Sequence, residues 1–203
     1  MPVPQPRLFP KAPFRHGTVL LNWHGDPPGE ARFLAAAFHE LGKKAVLALR
    51  RRRTFPSGGL DDFHACPIVF LYRHALEVYL KAVLIAAGPL RSAAVRKATE
   101  EQLSRHHKLV PLTQEMKRLF VEHRWPWPES LEDLRRLAQE FDSVDPASFS
   151  FRYTTDKQGR AALPHRFQFD LFAFCAVLDE HLPDLDGWVS VMEERVDESL
   201  GRT

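Results

Sequence analysis

The chain has 203 residues, which is enough for one or two domains and for a core that needs no disulfide or structural metal. Apolar residues make up 44% and charged residues 27%, values that are ordinary for a globular protein and exclude wholesale disorder. The two cysteines, Cys66 and Cys175, are far apart and have apolar neighbours. They therefore exclude a disulfide scaffold and a cysteine-rich zinc site, and they suit a reducing compartment.

The N-terminal region is rich in proline. Five prolines precede position 14, without the apolar stretch of a secretory signal. Nowhere does the sequence reach the roughly 18 consecutive apolar residues that a membrane span needs. We therefore expect a soluble, cytoplasmic protein with no membrane contact, in which residues 1–28 form an irregular arm and residues 29–203 form one helical domain.

The charges are unevenly distributed, although the formal net charge is only +2. Residues 1–53 carry ten basic and three acidic side chains, whereas residues 179–198 carry eight acidic and one basic side chain. This distribution is typical of a protein that binds a polyanion on one side. It also arises from two solvated faces that can pair within a dimer, and we favour this second interpretation.

Helical periodicity dominates the sequence. The predicted helices cover about 29–50, 61–87, 91–104, 111–123, 130–141, 165–182 and 185–200, the last two being separated at Pro183. The second is apolar almost all round, which is typical of a central helix packed on several sides. Residues 142–163 are a long irregular loop, and no segment alternates as a strand does. The sequence therefore predicts an all-α fold, in which four to six helices form an up-and-down bundle.

One polar stripe interrupts the apolar surface of the central helix. At 100° per residue, Arg73, His74, Glu77 and Lys81 lie within about 100° of arc. Two i,i+4 ion pairs are possible along the stripe, Arg73–Glu77 and Glu77–Lys81. The stripe is either exposed to solvent or a partly buried cluster that receives a loop. In the second case the buried Glu77 needs a cation nearby.

The segment 148–153 supplies a candidate cation. Its sequence, Ser-Phe-Ser-Phe-Arg-Tyr, alternates serine with aromatic residues before Arg152. Three aromatic residues can anchor this loop on the helices: Phe149, Phe151 and Tyr153. We expect Arg152 to point back at Glu77 and to compensate its charge.

These motifs, in this order, resemble those of the HEPN superfamily. The family's H-x-x-E-x-x-x-K helix is matched by His74, Glu77 and Lys81, and its short H-x-L element by His107-Lys108-Leu109. Its loop of the R-Y-P type is matched by Arg152-Tyr153, with Thr154 where proline is frequent. The resemblance covers about residues 63–182.

The resemblance implies a helical bundle that commonly forms homodimers. Members include RNases that act as toxins or defence effectors, and non-catalytic partners of nucleotidyltransferases proposed to bind nucleotides or RNA. On this basis the predicted ligand-binding residues are Arg73, His74, Glu77, Lys81, His107, Arg152 and Tyr153.

Catalytic members of the family carry an arginine and then a histidine, with four to six residues between them, near the start of the last long helix. Two such pairs meet across the dimer and cleave RNA without metal. Three pairs here have this spacing, no more than the composition gives by chance: Arg32/His39, Arg118/His123 and Arg160/His165. Only Arg160/His165 has the right location, where arginine can hold a phosphate and imidazole can act as general acid or base.

Other enzyme motifs are absent from the sequence, including a Gly-rich phosphate loop, G-x-S-x-G and H-E-x-x-H. Glu140, Asp142 and Asp145 lie at a helix end, where capping and turn roles are favoured over a metal site. We therefore expect neither a metal nor a cofactor.

Three hypotheses remain for the function. The first is a non-catalytic HEPN-like domain that binds nucleotide or RNA, in a toxin–antitoxin or defence context and with a nucleotidyltransferase-like partner. The second is a metal-independent RNase that uses Arg160 and His165. The third is a structural protein whose polar stripe is an internal ion-pair network.

Overall fold

The structure, a computed structural model, describes residues 25–51, 60–105, 107–146, 148–156, 158–163 and 167–201. Six α-helices cover most of these residues: α1 Pro27–Arg50, α2 Leu60–Ala86, α3 Ala93–Arg105, α4 Leu109–Glu122, α5 Glu129–Val144 and α6 Leu171–Leu200. A 3₁₀ turn, Gly88–Leu90, follows α2. Over the described ranges the β-structure is limited to an isolated bridge between Thr155 and Ala161. The predicted all-α fold is confirmed.

α1 begins slightly before its predicted start. The Asp26 carboxylate accepts a hydrogen bond from the backbone N–H of Gly29 at 3.4 Å and caps the helix. Pro27 and Pro28 occupy the first turn, where a missing N–H costs no helical hydrogen bond. These two prolines of the predicted arm therefore belong to the helix, and residues 1–24 of that arm lie outside the described residues.

α2 is the central helix and packs against α1, α4 and α6. Most of its side chains from Ile68 onward are buried, as its all-round apolar surface predicts. α1 approaches it closely at Gly42, where a Cβ atom would lie 2.8 Å from Cε2 of Tyr72. Neither α2 nor any other helix in the described part of the chain is long and apolar enough to cross a bilayer.

The predicted break at Pro183 is wrong, because α6 runs through it as one helix. Proline inside a helix removes the hydrogen bond to the carbonyl four residues earlier, here that of Asp179, and costs about 3 kcal/mol. Leu182 and Leu185 on either side of the proline are fully buried in the core. Burying such a side chain contributes about 1.5–3 kcal/mol, which offsets the cost of the proline. Pro183 itself is exposed.

The basic α1 and the acidic α6 pair with each other inside one chain. Arg32 donates two hydrogen bonds of 2.7 Å to the carboxylate of Asp186. Nε2 of His39 lies 2.7 Å from Oδ1 of Asp179, which also accepts a 2.9 Å hydrogen bond from the hydroxyl of Tyr72. Part of the charge asymmetry seen in the sequence is therefore neutralised between two helices that contact each other.

We predict that Pro183→Ala stabilises the protein. Alanine restores the missing N–H of α6 and is the better helix former, so the free energy of unfolding should rise by about 1–3 kcal/mol. Urea denaturation followed by circular dichroism measures this change. Pro126→Ala, at an exposed position outside the helices, is the control and should bring no such gain. An unchanged or lower stability of Pro183→Ala would indicate two separate helices.

Candidate functional site

The side chain of Arg73 is fully buried. Its Nη1 donates a hydrogen bond to Oε2 of Glu77 at 3.1 Å. Its Nη2 donates to two backbone carbonyls, that of His107 at 2.8 Å and that of Asp145 at 3.2 Å. The guanidinium therefore joins α2 to the residues just before α4 and just after α5. Nε has no hydrogen-bond partner among the described residues, but it lies 3.6 Å from Oδ2 of Asp145.

Glu77 lies one turn after Arg73 and is 1% exposed. Its Oε1 accepts a hydrogen bond from Nζ of Lys81 at 2.8 Å and lies 2.9 Å from Nδ1 of His107. Burial acts to raise the pKa of Glu77, but the hydrogen bonds and charges of Lys81 and His107 outweigh it and hold the pKa below its ordinary value. Glu77 is therefore ionised at neutral pH although it is buried.

Asp142, in the last turn of α5, caps the start of α4. Its two carboxylate oxygens accept hydrogen bonds from the backbone N–H groups of Leu109 at 3.0 Å and Val110 at 2.8 Å. Lys108, which precedes α4, makes no capping hydrogen bond with its side chain, so a carboxylate from another helix takes that role. The same carboxylate lies 3.9 Å from Nη2 of Arg73. We refer to Arg73, Glu77, Asp142 and Asp145 as the polar centre.

Asp145 organises the loop that follows α5. Its Oδ1 accepts hydrogen bonds from the N–H groups of Phe149 at 2.7 Å and Ser150 at 2.9 Å. Ser148 is buried and has a φ of 54°, a left-handed conformation that is uncommon for a residue with a Cβ atom. The hydrogen bonds from the two following N–H groups to Asp145 stabilise the turn. Asp142 and Asp145 thus have the capping and turn roles predicted for them, and the described residues contain no group of side chains that fits a metal ion.

Arg152 does not pair with Glu77, contrary to the expectation from sequence. Its Nε donates to the carbonyl oxygen of Ser148 at 2.6 Å, and its guanidinium lies over the ring of Phe70, 5.2 Å from the centroid. The hydrogen bond turns the side chain back onto its own loop. Arg73 and Lys81, on the same helix as Glu77, are the cations that pair with the buried carboxylate.

The aromatic residues of this loop anchor it unequally. Phe151 is buried at 7% exposure, whereas Tyr153 is 53% exposed. The ring of Tyr153 stacks on Phe149, with 4.5 Å between centroids. Phe151 is therefore the residue that fixes the loop on the helices, and the Tyr153 ring remains open to solvent on part of its surface.

His74 lies among aromatic rings. It stacks on Phe70 at 5.5 Å between centroids and meets the edge of Phe38 of α1 at 4.4 Å. Burial lowers the pKa of His74, and the nearby charges of Lys81, Arg152 and Arg73 lower it further, whereas Glu77 raises it. His74 is therefore neutral at pH 7 and serves the packing of α1 on α2.

The structure brings most of the predicted ligand-binding residues together. Arg73, Glu77, Lys81 and His107 form one hydrogen-bonded network, and His74 and Arg152 both contact the ring of Phe70. Tyr153 lies next to Arg152, 5.6 Å from its guanidinium.

The predicted catalytic pair is only half described. Arg160 is exposed and donates a 2.8 Å hydrogen bond from Nε to Oδ2 of Asp156. His165 lies outside the described residues. The pair Arg160/His165 therefore stays a prediction.

Asp142 and Asp145 were not among the residues predicted to form the site. A signal for them exists in the sequence: acidic side chains at the C-terminal end of a helix oppose its dipole. Two such residues, three positions apart, require partners from elsewhere in the fold. Here those partners are the N–H groups at the start of α4 and the guanidinium of Arg73.

We predict that Arg73→Met destabilises the protein by about 3–5 kcal/mol, because it removes the buried cation that lies between the carboxylates of Glu77 and Asp145. Urea denaturation measures the loss. The double variant Arg73→Met/Glu77→Leu should recover part of it, since one uncompensated charge is removed. Arg136→Met, at an exposed site on α5, is the control and should change stability by less than about 0.5 kcal/mol. A similarly small effect of Arg73→Met would show that the polar centre does not hold the fold together.

We also predict a pH-dependent contribution from His74. Below its ordinary pKa of about 6.5 the unfolded chain binds a proton at this position, whereas the folded protein does not. The free energy of unfolding should therefore fall as the pH falls below about 6.5. His74→Phe keeps an aromatic ring but cannot titrate, so its stability should fall less steeply over this range. Parallel curves for the two proteins would contradict the prediction.

Three comparisons with known proteins found no match: a scan against protein-family models, a search of curated proteins and a search of solved structures. The resemblance to the HEPN superfamily therefore rests on the order and spacing of the motifs alone. Because fold does not determine function, the residues of the site itself have to indicate what the protein does.

Proposed function

We propose that the protein is a non-catalytic, HEPN-like helical domain that binds a nucleotide or RNA on the surface around the polar centre. The observation that carries this proposal is that the carboxylates of the site are buried, whereas two of its cations lie closer to the surface. Glu77 and Asp145 are each 1% exposed. The cations Lys81 and Arg152, which we refer to as the outer cations, and the imidazole of His107 are more accessible than these carboxylates. An approaching anion therefore meets cationic donors before it meets carboxylates.

Arg152 and His107 retain hydrogen-bonding capacity that the fold does not use. The terminal nitrogens of Arg152 have no hydrogen-bond partner among the described residues, because only its Nε binds Ser148. His107 uses Nδ1 toward Glu77, and its side chain is 52% exposed, so Nε2 can face a ligand. Arginine in particular presents two parallel N–H donors that match a phosphate group.

Aromatic rings lie beside these donors. The Arg152 guanidinium lies over the ring of Phe70 and 5.6 Å from the centroid of Tyr153. Tyr153 is 53% exposed, and base–aromatic stacking of the kind such a ring offers is worth about 1–3 kcal/mol per base. A ligand with a phosphate at Arg152 and a base stacked on Tyr153 is a nucleotide.

The resemblance to the HEPN superfamily supports the same ligand class and extends the proposal. It adds a homodimer, a nucleotidyltransferase-like partner protein, a cytoplasmic location and a role in a toxin–antitoxin or defence system. These parts of the proposal rest on the resemblance.

One observation favours a purely structural role as the second candidate. The guanidinium of Arg73 is used entirely inside the molecule, by Glu77 and by the carbonyls of His107 and Asp145. If Lys81 and His107 serve only to stabilise the buried carboxylate of Glu77, the network stabilises the fold and binds no ligand. The two candidates differ in what Arg152 does, since it makes no contact with Glu77.

We predict that Arg152→Gln weakens nucleotide or RNA binding about ten- to hundredfold and leaves thermal stability unchanged. It removes one charge-assisted phosphate contact, worth about 1.5–3 kcal/mol, at an exposed position. Fluorescence anisotropy with a fluorescein-labelled oligouridine measures RNA binding, and calorimetry with ATP measures nucleotide binding. Binding should also weaken as salt concentration rises.

Arg136→Gln is the control, because Arg136 is an exposed arginine that also pairs locally, with Asp133. An equal loss in this variant would show non-specific charge attraction. Absence of binding by the unaltered protein would favour the structural candidate. Incubation with total RNA tests catalysis separately: RNA should stay intact, and degradation that disappears in His165→Ala would show that the RNase hypothesis is correct.

A further inference from the structure

A cavity of about 350 Å³ lies between α5, the start of α6 and the segment that precedes α6. Its wall is mostly apolar, with Val69 of α2 at one side and Leu178 of α6 at another. Five phenylalanine rings line it: Phe141, Phe151, Phe167, Phe169 and Phe174. None of these side chains belongs to the polar centre or to the outer cations. The cavity is therefore a separate surface, which shares with the proposed nucleotide site only the loop that Phe151 anchors.

The five rings form a continuous arc. Measured between neighbouring centroids, the separations are 6.4 Å from Phe151 to Phe167, 5.3 Å from Phe167 to Phe169, 5.8 Å from Phe169 to Phe174 and 5.5 Å from Phe174 to Phe141. Aromatic rings carry negative electrostatic potential on their faces. A wall of adjoining rings therefore favours an apolar or cationic occupant over an anionic one.

The charged groups among the described residues that line the cavity have the same sign. Among the described residues that line it, the only charged side chains are Glu140 and Asp170. Oδ1 of Asp170 caps α6 by accepting hydrogen bonds from Phe172 and Ala173, at 2.8 and 3.1 Å. Within the described part of the chain, Oδ2 of Asp170 and the carboxylate of Glu140 have no hydrogen-bond partner. Two carboxylates thus have capacity to pair with a cation.

We propose that this cavity binds an organic cation, an amine or quaternary ammonium group attached to an apolar body. The volume lies in the range of small-molecule sites. Water filling this space would find few hydrogen-bond partners on the phenylalanine walls. A cation over aromatic faces gains cation–π attraction, and the two carboxylates add charge complementarity. Phe167 and Phe169 are 43% and 37% exposed, so the arc opens to solvent on this side.

Calorimetric titration of the full chain with benzyltrimethylammonium tests the proposal. Benzyl alcohol serves as the neutral comparison compound and benzenesulfonate as the anionic one. The ammonium compound should bind at least about tenfold more tightly than benzyl alcohol, and benzenesulfonate should not bind. Absence of ammonium binding, or equal affinity for the cation and the alcohol, would overturn the proposal.

Variants locate the binding. Glu140→Gln and Asp170→Asn each remove one charge, and asparagine keeps the helix cap, so both proteins should fold and bind the ammonium compound several-fold more weakly. Phe169→Leu, at a partly exposed ring, should also weaken binding. Glu122→Gln removes an exposed acid of α4 that does not line the cavity and should leave the affinity unchanged. Ammonium binding that is the same in all four variants would place the ligand elsewhere and overturn the proposal.

Discussion

A guanidinium buried in an apolar core has to be surrounded by acceptors, because its desolvation costs several kcal/mol that only hydrogen bonds and opposite charges can offset. Arg73 imposes this requirement on the most central helix of the protein. Its own helix supplies one acceptor, Glu77, and the rest must come from other elements. The carbonyls of His107 and Asp145 supply them, so the residues that begin α4 and end α5 are positioned by one side chain.

The same requirement resolves an unfavourable feature of α5. Asp142 and Asp145 lie at its C-terminal end, where the helix dipole disfavours negative charge. The two carboxylates are stabilised there because Arg73 lies nearby and because backbone N–H groups of α4 and of the following loop donate to them. Arg73 buried on α2, or Asp142 and Asp145 at the C-terminal end of α5, would each be destabilising alone. Together they stabilise one arrangement of the helices and the loop.

The helices could be predicted from sequence because their apolar residues repeat with helical spacing, and the central position of α2 followed from its all-round apolar surface. The break at Pro183 was predicted wrongly, since local propensity ignores the buried leucines that hold α6 together on both sides. Helical spacing is enough to identify the polar stripe as a candidate site, but it does not show whether the stripe is buried. The prediction that Arg152 pairs with Glu77 is wrong. The direction of a loop side chain depends on the local turn, and periodicity does not encode that turn. That turn includes Ser148 at a φ of 54°.

The unequal distribution of charge in the sequence also has a different meaning once depth is considered. Arg32 pairs with Asp186, and His39 lies against Asp179, so the basic α1 and the acidic α6 partly neutralise each other within the chain. Net charge along the sequence therefore overstates the electrostatic field that a ligand meets.

Around the polar centre the signs instead differ by depth, with carboxylates enclosed and Arg152 at the surface. At the phenylalanine cavity the arrangement is reversed, because the charged side chains among its described lining residues are carboxylates. A surface that favours anions and one that favours cations can thus coexist on a chain whose formal charge is almost balanced. The class of ligand depends on which sign of charge remains accessible after the internal ion pairs have formed.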